Sequence, residues 1–151
     1  MQWEDYKATF QADGTLGILQ IKHTCLEDWY HFIEFLRKTD TDLTYAVDGN
    51  IQALPKDLRR LELSREHSHL LTIQFGEIKL YCPYLHSEEI TFEFNPEEIR
   101  NEMHARVLFR FMSTTGRALD KPVMLSKRDT HEPAIFLYER GHGLRFLDLC
   151  L

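Results

Sequence analysis

The amino-acid sequence predicts an α+β fold, a two-layer sandwich in which two long helices and one short extra helix pack on one face of a mainly antiparallel sheet. Short segments of alternating apolar and polar residues follow one another through tight turns, as antiparallel strands do. Two longer segments repeat apolar residues at helical spacing. No linker rich in Gly, Ser or Pro interrupts the 151 residues, so we expect residues 1–151 to form a single globular domain.

The first two predicted strands form a hairpin near the N-terminus. Apolar and polar side chains alternate over residues 6–10, as in a strand with one buried face. Asp13 and Gly14 supply the two positive-φ positions of a type I′ turn. A two-residue loop at this point pairs Ala8 with Leu19 and places both on the same apolar face.

The first long helix follows this hairpin. Thr24 and Glu27 have the spacing of a capping box, so we expect the helix to open at Thr24. Apolar residues fill half of its circumference and polar residues fill the other half. The apolar half consists of Leu26, Trp29, Phe32, Ile33, Phe35 and Leu36, and the polar half of Glu27, His31, Glu34 and Lys38. The polar half is typical of a solvated face.

A strand and a short helix come next. Residues 43–47 alternate as a strand that ends at Asp48 and Gly49. Pro55 suits the first turn of a short helix that buries Leu58 and Leu61.

The clearest local signal is a second hairpin in the middle of the chain. Residues 71–75 and 78–82 alternate on either side of Gly76 and Glu77, which fit a type II′ turn with Gly first. This register places six apolar or Cys side chains on one face. Pro83 indicates a strand end, and residues 90–94 form the next strand.

The second long helix opens at Asn95, which caps it, with Pro96 in its first turn. We expect it to run to about Thr115 and to stop at Gly116. Residues 123–125, 135–137 and 144–146 are predicted to be three closing strands.

His104 is the weak catalytic candidate, together with Arg100 one turn earlier. The inner face of the second helix is formed by Met103, Val107, Leu108, Phe111 and Met112. His104 is expected to project into the middle of this face, where an imidazole with a shifted pKa can act as an acid or base. The alternative is a neutral imidazole whose hydrogen bonds are satisfied. Arg100 either binds an anion or carries its charge to the helix end.

His67 and His69 are the weak metal candidates, since residues two apart on a strand point the same way. Two ligands do not make a zinc site, and no standard catalytic or cofactor motif is present. We therefore expect no metal and no cofactor. Cys25, Cys82 and Cys150 are odd in number, lack CxxC spacing and are expected to be reduced thiols.

Charge and the absence of targeting signals narrow the functional classes. A formal net charge of −6 argues against nucleic acid, which requires clustered positive charge. No apolar run is long enough to span a bilayer and no signal peptide is visible, so the sequence predicts a cytoplasmic protein without membrane association. The sequence indicates no particular oligomeric state.

Two functional classes follow. The favoured one is a non-catalytic protein that binds a macromolecule, with acidic charge steering a basic protein partner. An antitoxin or immunity-type role is one concrete form. The candidate contact residues are Glu88, Glu89, Glu93, Phe109 and Trp3, of which Phe109 is expected on the polar face of the second helix. The alternative is a small enzyme or ligand-binding domain with a site between sheet and helices around His104 and Arg100.

Overall fold

The computed structural model describes residues 2–11, 14–39, 41–59, 67–83, 87–127 and 134–147. Within these ranges the chain forms one antiparallel sheet, ordered β3-β2-β4-β5-β6-β1-β7-β8-β9. The strands are β1 Gly17–Lys22, β2 Thr41–Val47, β3 Asn50–Gln52, β4 His69–Phe75, β5 Ile78–Cys82, β6 Glu89–Phe94, β7 Val123–Lys127, β8 Phe136–Glu139 and β9 Gly143–Phe146. The predicted α+β sandwich is confirmed.

The described helices lie on one face of this sheet. A short helix α1, Trp3–Tyr6, continues into a 3₁₀ turn over Lys7–Phe10. The two long helices are α2, Leu26–Lys38, and α3, Glu102–Leu119. None of the helices in the described ranges combines the length and the apolar character that a membrane span requires.

The space between the helices and the sheet is filled by large side chains. The ring of Phe32 on α2 lies 5.5 Å from that of Phe92 on β6, and Phe111 on α3 lies 6.2 Å from the same ring. Leu36 and Met112 are fully buried beside them. Such packing fills this part of the space between the two layers.

The central hairpin has the predicted register. Phe75 lies opposite Ile78 and Leu71 opposite Cys82, and all four side chains share the inner face. Gly76 adopts a φ of +63°, whereas Glu77 has no positive φ, as a type II′ turn requires. The strand predictions at residues 43–47, 90–94 and 123–125 are also confirmed.

The prediction of an N-terminal strand is wrong. Residues 3–10 are helical, and β1 pairs with β6 and β7 instead of with residues 6–10. Trp3, Tyr6 and Phe10 are spaced by three and four residues, so a helical turn brings their rings together on one side. This aromatic side packs on α3 and on Phe136 of β8. The predicted pairing of Ala8 with Leu19 therefore does not occur.

The N-cap of α2 lies one residue later than predicted. Cys25 is the N-cap, and its backbone N–H donates to Asp28 Oδ2 at 2.9 Å. The Thr24 hydroxyl instead donates to the carbonyl oxygen of Ser87, at 2.7 Å. Because Thr24 is occupied in tying α2 to the start of β6, it does not cap the helix. The inner face of α2 is as predicted, with Trp29, Phe32, Ile33 and Leu36 buried.

The second long helix begins and ends later in the chain than the sequence predicts. Asn95 caps only a 3₁₀ turn over Pro96–Glu98, and α3 begins after a new N-cap at Asn101. Gly116 lies inside α3 and does not end it. A Cβ on Gly116 would overlap the ring of Tyr138 on β8, so close packing explains this glycine. The helix ends instead at Asp120, which adopts the left-handed conformation with φ of 53°.

The segment after β3 packs beside α2 in the helical layer. Leu58 is buried beside α2, as expected. Residues 56–58 form bends and a turn, however, so the short helix predicted to start at Pro55 does not start there. Leu61, its second predicted core residue, lies outside the described residues. Strand β3 itself was not predicted, because its three residues are all exposed and show no alternation.

Candidate functional site

The second face of the sheet carries no helix in the described part of the chain, and we call it the open face. Alternation along each strand places one set of side chains on the core and the other on the open face. At its centre lie β1, β5, β6 and β7. The open-face side chains of these strands are Ile18, Gln20, Lys22, Lys79, Tyr81, Glu89, Thr91, Glu93, Met124 and Ser126. This surface mixes apolar, polar and charged groups.

Two of the predicted contact residues occupy the middle of the open face. Glu93 lies between Ile18 of β1 and Tyr81 of β5. Glu89 lies opposite Lys22, and its Oε2 accepts a hydrogen bond from Gln20 Nε2 at 3.0 Å. The strand register therefore brings Glu93 beside one aromatic and one branched aliphatic side chain, whereas Glu89 lies at the other end of β6. Tyr81 and Ile18 could have been found from the sequence, because they alternate with core residues along their strands and therefore lie on the opposite face.

Glu88 stands at the end of the open face, in the turn that leads into β6. Its side chain is exposed and forms no hydrogen bond or ion pair within the described residues. Its position is nonetheless fixed, because its carbonyl oxygen accepts the N–H of Thr24 at 3.1 Å. The neighbouring carbonyl of Ser87 accepts the Thr24 hydroxyl. A charge on an ordered turn meets a partner at a defined place.

The two aromatic contact candidates are not on this face. Phe109 was predicted to be exposed, and this is wrong, since only 7% of it is accessible. Its ring lies 4.7 Å from that of Phe136 and 5.5 Å from that of Tyr6, because the N-terminal helical segment covers this side of α3. Trp3 is partly buried and stacks on Phe10, which leaves only part of its ring for a partner.

His104 occupies a different place from the one predicted. It is the third residue of α3, and its side chain is 16% exposed at the helix start instead of in the middle of the inner face. Met103 is 71% exposed, so it does not belong to that face either. Residues 102–104 form the first turn of α3, which precedes the part of the helix that packs on the core.

Both ring nitrogens of His104 are already engaged. Nδ1 accepts the backbone N–H of Arg100 at 3.1 Å, and Nε2 donates to Glu77 Oε2 at 2.7 Å. The first bond assigns the proton to Nε2. The imidazole thus ties the turn after β4 to the start of α3. Arg100 is exposed, and its Nε donates to the carbonyl oxygen of Glu97 at 3.4 Å.

His67 and His69 also form hydrogen bonds. His67 Nδ1 lies 2.7 Å from Asp48 Oδ2, and His69 Nδ1 lies 2.6 Å from the Tyr45 hydroxyl. The N–H of Ser68 and then His67 hold the pKa of Asp48 below its usual range. Among the residues that the structure describes, no three His, Cys, Asp or Glu side chains cluster in a way that would hold a metal ion.

Comparison of the chain with family models, with curated proteins and with solved structures finds no match.

Proposed function

We propose that this protein is a non-catalytic binding protein that docks a basic protein partner on the open face, around Glu88, Glu89 and Glu93. An antitoxin or immunity-type role remains one concrete form of this proposal. The observation that carries it is the open face itself, a broad surface on a rigid sheet that no described helix covers. Binding surfaces of this kind combine an apolar centre with a polar rim. Tyr81 and Ile18 supply the centre here.

The charge of this surface favours a basic partner. Its centre and adjoining turn hold three carboxylates, on Glu88, Glu89 and Glu93, against the two ammonium groups of Lys22 and Lys79. The whole chain carries a formal net charge of −6. A negative surface on a negative protein speeds the approach of a positive partner and slows that of an acidic one.

The alternative site around His104 and Arg100 has less support. A substrate there would have to displace the Glu77 carboxylate or the Arg100 N–H from the imidazole. The adjoining core is filled by Phe111, Leu108 and their neighbours. These contacts are typical of a histidine that stabilises the fold.

The test begins with capture of partners on immobilised protein from a lysate of the host cell. Three forms are compared: the wild type, the double variant Glu88→Lys with Glu89→Lys, and a matched control with Glu4→Lys and Glu27→Lys at exposed positions of the helical layer. We expect a basic protein that is retained by the wild type and by the control, and that the open-face variant loses.

The association rate of the identified partner is then measured by stopped flow at increasing salt. The open-face variant should associate more slowly, on the order of tenfold at low salt, while its thermal stability stays close to that of the wild type. A partner that binds all three forms alike, with a salt-independent rate, would refute docking at this face.

A further inference from the structure

A cleft of about 350 Å³ lies on the outer flank of α2, far from the open face. Its walls are the exposed side of α2 and the segment that follows β3. We call it the α2 cleft and define it by Tyr30, Ile33, Arg37, Leu54, Lys56 and Leu58. Its volume falls in the range of small-molecule sites, roughly 300–1,000 Å³.

The cleft is held open by a network of hydrogen bonds between its two walls. The Tyr30 hydroxyl on α2 accepts the N–H of Leu58 at 2.9 Å and lies 3.4 Å from Asp57 Oδ1. Asp57 in turn accepts two bonds from the Arg59 guanidinium, each 3.0 Å long. The walls are therefore fixed before a ligand arrives, which lowers the entropic cost of binding.

Two described carboxylates at or beside the cleft are paired with cations of the protein. Glu34, which lines the cleft, lies 3.0 Å from Lys38 Nζ on the next turn of α2. The Arg59 guanidinium lowers the pKa of Asp57 to about 2. These two negative charges are thus already paired with cations.

Two cations of the cleft have no such partner. Arg37 and Lys56 are exposed, and neither side chain forms a hydrogen bond or ion pair within the described residues. Beneath them the floor is apolar, formed by Ile33 and Leu58, each 5% exposed, and by the partly buried Leu54. An apolar floor under unpaired positive charge is complementary to a ligand with an apolar body and an anionic group.

We infer that the α2 cleft binds a small amphipathic anion, an aromatic or branched aliphatic body that carries a carboxylate, a sulfonate or a phosphate. Arg37 is suited to the anionic group, because a guanidinium donates two parallel hydrogen bonds to such a group. Lys56 adds a second positive charge from the opposite wall. The apolar body lies on Ile33, Leu54 and Leu58. This inference does not depend on the proposed function, since it concerns the other layer of the molecule.

The test uses two fluorescent probes that share nearly the same aromatic body. 8-Anilinonaphthalene-1-sulfonate carries an anionic group, and N-phenyl-1-naphthylamine does not. We expect the sulfonate probe to saturate one site with a dissociation constant on the order of tens of micromolar. The neutral probe should bind more weakly. Amide chemical shifts in the presence of the sulfonate probe should change around Tyr30 and Leu54.

Substitutions then separate this cleft from general hydrophobic binding. Arg37→Ala and, independently, Lys56→Ala should weaken the sulfonate probe, with Arg37→Ala raising its dissociation constant on the order of tenfold. Both variants should lose most of the preference for the charged probe. The matched control is Arg110→Ala, which removes an exposed arginine on α3 that forms no side-chain bond in the described part of the chain. This control should bind like the wild type.

Three results would overturn the inference: no saturable binding of the sulfonate probe to the wild type, equal affinity for the two probes, or shift changes that lie away from α2. Wild-type affinity in both Arg37→Ala and Lys56→Ala would overturn it as well. Near-ultraviolet circular dichroism of each variant shows that it is folded, and both substituted side chains are exposed.

Discussion

Gly116 offers a sharp test of the packing between α3 and the sheet. By intrinsic helix propensity alone, Gly116→Ala should stabilise the protein by about 1 kcal/mol. The structure predicts the opposite sign. A Cβ at this position overlaps ring carbons of the buried Tyr138 and lies 3.1 Å from the carbonyl oxygen of Lys121. Neither neighbour moves freely, because one is a packed ring and the other is backbone.

The expected magnitude follows from these two opposing effects. Overpacking a filled core costs roughly 1–3 kcal/mol, which exceeds the propensity gain over most of that range. We therefore expect Gly116→Ala to lower the free energy of unfolding by up to about 2 kcal/mol. For a chain of this size that corresponds to a decrease in Tm of up to roughly 8 °C.

The assay is equilibrium denaturation in guanidinium chloride, with a double-mutant cycle. Tyr138→Leu removes the ring that the new Cβ meets, so Gly116→Ala should become neutral or stabilising in that background. The coupling free energy should be on the order of 1–3 kcal/mol. Ala118→Gly, at an exposed position in the last turn of α3, changes propensity without touching the sheet and should cost less than about 1 kcal/mol. A Gly116→Ala protein that is more stable than the wild type would refute the packing argument.

Two further predictions concern single polar groups. Within the described part of the chain the Thr115 hydroxyl is buried without a hydrogen-bond partner, so Thr115→Val should raise the free energy of unfolding by about 1 kcal/mol. Thr114→Val, which removes a hydroxyl bonded to a carbonyl oxygen of the same helix, should not raise it. Equal effects of the two substitutions in denaturation would contradict this. Asp57 should titrate with a pKa of about 2 in carboxyl carbon NMR, and Arg59→Ala should raise that pKa towards the ordinary value of about 4, while an unchanged value would exclude the arginine as the cause. Since the pKa of Asp57 is lowered in the folded state, its contribution to stability is present above pH ~4 and is lost as the pH falls towards 2.

The sheet was the part of the fold most accessible from the sequence. Buried and more exposed residues alternate along its central strands, and Gly76 fixes one register by the turn that it forms. The strand order was not accessible in this way, because β1 lies between β6 and β7, which are far from it in the chain. Local alternation decides which side chains share a face, but it carries no information about which distant strand lies next to it.

The candidate site could be predicted only in part, and for the same reason. Glu89 and Glu93 were singled out for their charge, and alternation along β6 places them on the face opposite to the core. Ile18 and Tyr81, the neighbours of Glu93, come from other strands, so their contribution depends on the register between strands. The α2 cleft was missed altogether, since its walls meet through a bond between the Tyr30 hydroxyl and the distant Leu58 N–H.

Two wrong predictions, the N-terminal strand and the exposed Phe109, have a single physical origin. Tyr6 and Phe10 are four residues apart, which is compatible both with alternation along a strand and with one face of a helix. Trp3, three residues before Tyr6, distinguishes the two, because a strand would place it on the opposite face from Tyr6 and Phe10. Read as a helix, the segment presents three aromatic rings on one side and must bury them.

That requirement extends to α3. Ala105, Leu108, Phe109, Met112 and Gly116 follow one another at intervals of one, three and four, and all are buried. This arc is wider than contact with a sheet alone needs, so a second element must cover it. The N-terminal helix has an aromatic side that must be buried. The apolar arc of α3 is wider than the sheet can cover. Weighed together, they predict that each covers the other, as the contact between Tyr6 and Phe109 shows.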